Sequence, residues 1–161
     1  MLFILGCNTG FRISELLTLR NQDVLNKAGR VEDSITMASS KMKGGKYSRT
    51  VKLNQQTRKA LANYINENNI KNWLFPSSRS PEKPIDRIQA WRSLGMGTHT
   101  MRKTFATSVY EYLLELVARG ERVDPMRSAS KALGHVSIAN TERYLALDQD
   151  KINEAIENIG I

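Results

Sequence analysis

Thr9-Gly10-Phe11-Arg12-Ile13-Ser14-Glu15-Leu16 sits between two apolar stretches near the start of this 161-residue chain. Before it, Leu2 and Leu5 supply an apolar helical face. Within and after it, Ile13, Leu16, Leu17 and Leu19 supply another. The spacing predicts helix from residue 1 to about residue 20, with Thr9-Gly10 interrupting the middle. Two other short patterns lie far downstream: His99-Thr100-Met101-Arg102, and Leu133-Gly134-His135 with Tyr144 nine positions after the histidine.

The intervening sequence reads as alternating elements. Residues 33–38 and 48–53 alternate in polarity as strands do. Between them Lys41-Met42-Lys43-Gly44-Gly45-Lys46 forms a basic turn, so the whole reads as a β-hairpin with a glycine tip. Asn54 is placed to cap a helix carrying Ala60, Leu61, Tyr64 and Ile65. Pro76 to Pro84 is a loop, followed by a short helix around Asp86 to Ser93. Thr98 is expected to cap the next helix, whose stripe is Met101, Phe105, Val109, Tyr112, Leu113 and Leu116, with Gly120 closing it. Asp124-Pro125 opens a helix that ends at Gly134. Ser137 is expected to cap a short helix through Leu145, and a last helix runs from about Gln149 to Ile159. The fold class is therefore mainly α with a small antiparallel β-sheet.

Composition narrows the functional classes. A net charge of +8 points to a polyanionic partner: DNA, RNA or an anionic membrane. A single cysteine, Cys7, excludes a disulfide framework and a cysteine-based zinc site. Met1 to Cys7 has no basic leader and too short an apolar core for a signal peptide, so it reads as a structural helix. No run approaches the roughly 20 apolar residues that span a bilayer. A cytoplasmic protein with no membrane association is expected. The acidic residues show no clustered ligand spacing, which disfavours a metal-dependent nuclease.

The boxes around Arg12, His99-Arg102 and Leu133-Gly134-His135 with Tyr144, together with the hairpin lysine, resemble in order and local spacing those of the tyrosine site-specific recombinases, the phage integrase family. The resemblance covers nearly the whole chain. It implies the catalytic-domain fold of DNA breaking-rejoining enzymes. It also implies DNA cleavage and rejoining through a 3′-phosphotyrosine, without metal, ATP or other cofactor. The alternative is a DNA-binding remnant or regulator with no turnover.

Physical chemistry favours these residue types for that reaction. Cutting a phosphodiester without a metal requires fixed cations, and a guanidinium offers two parallel hydrogen bonds to a phosphate. Arg12 and Arg102 are the candidates. His99 lies one helical turn before Arg102 and near a helix start, where free N–H groups favour an anion. The resemblance gives His99 a part in proton transfer and gives His135 a hydrogen bond to the phosphate. Tyr144 is the nucleophile it implies, a phenol that two nearby guanidiniums would push toward phenolate. The resemblance also implies a hairpin lysine as the general acid for the leaving 5′-oxygen. Lys43 fits best, with Lys41 and Lys46 remaining open. Lys41, Lys46, Arg49 and Lys103 are further candidates for contact with DNA phosphates. Glu15 is either an orienting partner of an active-site cation or a helix-surface carboxylate.

Two spacings depart from many members. The 33 positions from Arg102 to His135 are long, and the stretch from the hairpin to His99 is short. Residues 1–161 are expected to be a recombinase catalytic domain that starts too late to include the family's amino-terminal DNA-clamping domain and first catalytic-domain helix. The implied partners are double-stranded DNA and other recombinase protomers, in a tetramer on DNA. Docking would run through the carboxy-terminal helix bearing Ile152, Ala155, Ile156 and Ile159. The implied source is bacterial, phage or another mobile element.

Overall fold

A computed structural model describes residues 1–38, 48–95, 97–145 and 156–158. It divides into two compact units, Met1–Phe105 and Ala106–Ile161. Lys41, Lys43 and Lys46 lie outside the described residues. So does most of the expected last helix, of which 156–158 are helical.

In the first unit, helix α1 (Leu2–Thr9) buries Leu2, Leu5, Gly6 and Thr9. Gly10 ends it in the left-handed region, at φ 60°. Two constraints select glycine there. The backbone conformation disfavours a side chain, and a Cβ would lie 2.3 Å from Cδ1 of Phe105. The expected break is therefore real, and it separates α1 from the short α2 (Ile13–Leu16). Glu15 fastens the start of α2 by accepting from the Arg12 backbone N–H at 2.7 Å, one half of a capping box.

Strands β1 (Ser34–Met37) and β2 (Arg49–Lys52) pair antiparallel, with Ile35 opposite Val51 and Met37 opposite Arg49. The pleat sends Ile35 and Met37 inward. On the outer face, Thr36 and Thr50 share a 2.8 Å hydrogen bond between their hydroxyls. Helix α3 (Gln55–Glu67) starts at the predicted cap, where Asn54 Oδ1 accepts from the Thr57 N–H at 2.8 Å. Leu61 and Ile65 are its core residues. The 76–84 loop is closed by a bridge between Pro76 and Pro84. Asp86 then caps α4 (Arg87–Leu94), accepting from Gln89 N–H. The core gathers Leu5, Phe11, Leu16, Leu19, Ile35, Met37, Leu61, Leu74 and Met101.

Helix α5 (Thr98–Ala118) begins in the first unit and ends in the second. Thr98 is its first helical residue rather than its cap, because the Gly97 carbonyl already accepts from the Thr100 N–H at 2.9 Å. In the second unit, Asp124 caps α6 (Pro125–Leu133), and Gly134 closes it at φ 65°. His135 N–H reaches back to the Ser130 carbonyl at 3.0 Å, the long bond of a Schellman closure. Helix α7 (Ala139–Glu142) is shorter than the predicted Ser137-to-Leu145 element, and Ile138, not Ser137, precedes it. The shortening has a local cause: the backbone N–H groups of Tyr144 and Leu145 both turn onto the Thr141 carbonyl.

Candidate active site

The first unit gathers three arginines from three elements around the Thr9–Arg12 turn. The turn is fixed from within: Thr9 Oγ1 donates to the Leu5 carbonyl at 2.7 Å, and Phe11 N–H donates to Thr9 Oγ1 at 3.3 Å. Arg12 emerges from it at the cap of α2, with 30% of its side chain exposed. Its Nη1 donates to Glu15 Oε1 at 2.8 Å. Glu15 is 1% exposed, so the open choice for this residue resolves in favour of the orienting carboxylate. One carboxylate holds both the backbone and the guanidinium of Arg12, which limits the directions the cation can point.

Arg102, on the first turns of α5, is 2% exposed, and its Nη1 donates to the Gly10 carbonyl. Two arginines separated by 90 positions thus meet at one four-residue turn. His99 is exposed one turn earlier on the same helix, and Lys103 is exposed beside Arg102.

Arg49, a candidate for contact with DNA phosphates, is 8% exposed. Its Nη2 donates to the Thr9 carbonyl at 3.0 Å, and its guanidinium lies 4.4 Å over the Phe11 ring. Burial, followed by the positive charge of Arg102, lowers its pKa to about 10. Arg12 acts in the same direction and Glu15 opposes it. Arg49 therefore stays charged at neutral pH. The sequence held the signal: in Arg49-Thr50-Val51 the arginine shares the inward parity of Val51.

Among the described residues, Arg12, Arg49 and Arg102 gather with Glu15 into an arginine-rich, largely buried cluster. Such a cluster favours a dianion or a phosphodiester whose charge is growing.

The second unit carries the remaining candidates. The backbone of His135 is fixed by the Gly134 closure, and its Nδ1 shares a 2.9 Å hydrogen bond with Oγ1 of the fully buried Thr141. The imidazole tautomer sets the direction of that bond. The rings of His135 and Tyr144 lie 5.4 Å apart between centroids, tilted by 40°. Tyr144 is half-buried. Sequence reasoning did not single out Thr141. A hydroxyl six positions after a histidine carries no motif until the turn at Gly134 and α7 folds one onto the other. Cys7, the other classical nucleophile type, has its thiol pKa raised by burial, which opposes thiolate formation. Among the described residues no group of three or more His, Cys, Asp or Glu is placed to hold a metal ion, and no helix is long and apolar enough to cross a membrane.

A mainly helical frame, an arginine cluster suited to a phosphate, and a paired histidine and tyrosine define a candidate phosphoryl-transfer protein. The chain belongs to the Phage integrase family, which it matches over residues 1–151; it is a tyrosine recombinase, of the enzyme class that performs site-specific DNA recombination. It is 31% identical to the probable integrase/recombinase YoeC of Bacillus subtilis, an alignment covering 99% of this chain and 83% of that protein. It is 26% identical to the tyrosine recombinase XerA of Pyrococcus furiosus over its whole length, spanning 54% of that protein. The crystal structure of a XerA recombinase superposes with a TM-score of 0.66 at 25% identity, over 98% of this chain and 55% of that one. A XerH recombinase bound to palindromic difH substrate shares the fold, with a TM-score of 0.64 at 22% identity over 98% of this chain and 44% of that one. The mainly α fold with one small antiparallel sheet is that of tyrosine recombinase catalytic domains.

Proposed function

We propose that this chain cuts and rejoins double-stranded DNA through Tyr144, with Arg12 and Arg102 holding the scissile phosphate. The convergence of the two arginines on the Thr9–Arg12 turn carries this reading.

In the proposed step the Tyr144 oxygen attacks phosphorus as it gives up its proton. One P–O bond forms, and the bond to the 5′-oxygen breaks. That oxygen takes a proton from a general acid and leaves as a 5′-hydroxyl. The DNA 3′ end stays on the protein as a phosphotyrosine. One phosphate ester replaces another, so the reverse attack by a 5′-hydroxyl reseals a strand without ATP. Arg12 and Arg102 neutralise charge growing on the non-bridging oxygens. His135, held at Nδ1 by Thr141, offers its other ring nitrogen to the same phosphate. His99 assists proton transfer, and a lysine from 41–46, best matched by Lys43, serves as the general acid. Exposed Lys103 contacts the flanking backbone.

The XerH relative was solved on its difH substrate and a Tn1549 transposon integrase with transposon right-end DNA, which supports duplex DNA as the partner. DNA as substrate puts the reaction in the cytoplasm of a bacterial or phage-infected cell. The working form is a set of protomers on DNA, a tetramer joined through the carboxy-terminal helix. The residues are those of a catalytic domain, 1–161.

A pool of nicked suicide duplexes with randomised cores, incubated with the chain in EDTA, tests this reading. Trapping of an SDS-stable protein–DNA adduct is expected, and Tyr144→Phe should remove it. Salt-sensitive duplex binding with no adduct from the wild-type chain would instead establish the non-catalytic DNA-binding alternative.

A further inference from the structure

We propose that Arg49 is a positioning residue of the strand-transfer site: it braces the turn that presents Arg12 and adds a third fixed positive charge to the phosphate-binding cluster. The inference rests on the proposed DNA strand transfer and gives a role in it to a residue first read as a candidate for contact with DNA phosphates.

Three observations carry it. First, Arg49 occupies an inward position of β2, opposite Met37, where the inward residues of the facing strand, Ile35 and Met37, are apolar and buried. Burying a guanidinium there costs desolvation that an aliphatic residue avoids. Second, it grips both sides of the glycine break, donating to the Thr9 carbonyl and covering the Phe11 ring. Arg12 is the next residue along. Third, among the described residues Arg102 from α5, and Glu15 and Arg12 from the turn into α2, act on its charge. Two of these three repel it. A brace serving stability alone gains nothing from that repulsion. A bound phosphate converts it into attraction shared by three cations.

The chemistry of substitution separates bracing from charge. Arg49→Lys keeps a cation but loses the planar fork. An ammonium has an ordinary pKa near ~10.4. Burial and the two arginines disfavour its charged form, as they do that of Arg49, so the introduced amine is neutralised more readily at high pH than the native guanidinium, whose pKa is about 10. Arg49→Met removes the charge at every pH and keeps the bulk.

The experiment measures each variant relative to wild type from pH 7 to pH 9 in two assays. One is adduct formation on the nicked duplex pool in a single turnover. The other is binding of the same duplexes by fluorescence anisotropy. Circular dichroism and thermal melting confirm folding. The Arg49→Lys rate should fall roughly tenfold relative to wild type as pH rises across the window, with binding weakening in parallel. The Arg49→Met rate should be low, at a constant ratio. Ratios that do not change with pH for Arg49→Lys, or an Arg49→Met chain that cuts like wild type, overturn the inference while leaving Tyr144 chemistry intact. A wild-type chain that forms no adduct overturns strand transfer instead. In that case the pH-dependent loss of binding still decides whether Arg49 serves the anion site.

Discussion

Arg102 and Tyr144 occupy opposite environments for chemical reasons. The arginine is sealed at 2% exposure, where its hydrogen bond to the Gly10 carbonyl fixes its fork and the surrounding protein strengthens its field. The tyrosine is only half-buried, which leaves part of its ring accessible, as the proposed attack on a DNA phosphate needs. Between these extremes lies His135, whose orientation depends on Thr141 Oγ1 at 2.9 Å. Thr141→Val keeps the buried shape and removes that hydroxyl. A hydrogen bond of this kind contributes about 1 kcal/mol. Single-turnover adduct formation should therefore slow by about fivefold, with a melting temperature within a few degrees of wild type. An unchanged rate would show that Thr141 does not orient the imidazole. Arg12, His99, Arg102, His135 and Tyr144 could be picked out as candidates from the sequence because each sits in a short local pattern. Arg49 was legible only through strand parity. Its burial depends on the Thr9 carbonyl, 40 positions away in sequence, and on the neighbouring Phe11 ring. Glu15 was ambiguous for the same reason.

The secondary-structure elements divide into those whose ends are written locally and those that are not. Asn54, Asp86 and Asp124 each cap the helix that follows, and the predicted starts hold. Thr98 and Ser137 have the same residue chemistry, yet Thr98 is the first helical residue of α5, after the Gly97 carbonyl, and Ile138 rather than Ser137 precedes α7. Capping residues mark candidate ends, and packing chooses among them. The strands kept their predicted places because their alternation matches one buried face. Gly10 is the position where element geometry and site geometry coincide. Gly10→Ala forces a left-handed alanine, at about 1 kcal/mol. It also drives a methyl into the Phe105 ring, adding about 1–3 kcal/mol. Urea denaturation should show a stability loss of about 2–4 kcal/mol at an unchanged m-value. A loss below about 0.5 kcal/mol would mean that Phe105 yields and the turn is not held as described.

At the scale of the whole molecule, the candidate residues divide between the two compact units: the arginines and His99 fall in Met1–Phe105, and His135 and Tyr144 in Ala106–Ile161. The sequence announced the family through the order of its boxes, since order survives changes of spacing. The long interval from Arg102 to His135 is taken up by the extended α5 and the segment leading to α6. Target sequence and protomer arrangement have no local signature, because they are read by surfaces assembled on DNA. The net charge of +8 foretold a polyanion but could not distinguish which one. The most direct measurement is to trap the wild-type chain on a nicked suicide duplex, digest both components and locate the nucleotide remnant by mass spectrometry. The account predicts a 3′-nucleotide joined through phosphate to the Tyr144 phenolic oxygen. A remnant on any other side chain, or on a 5′ end, would contradict it.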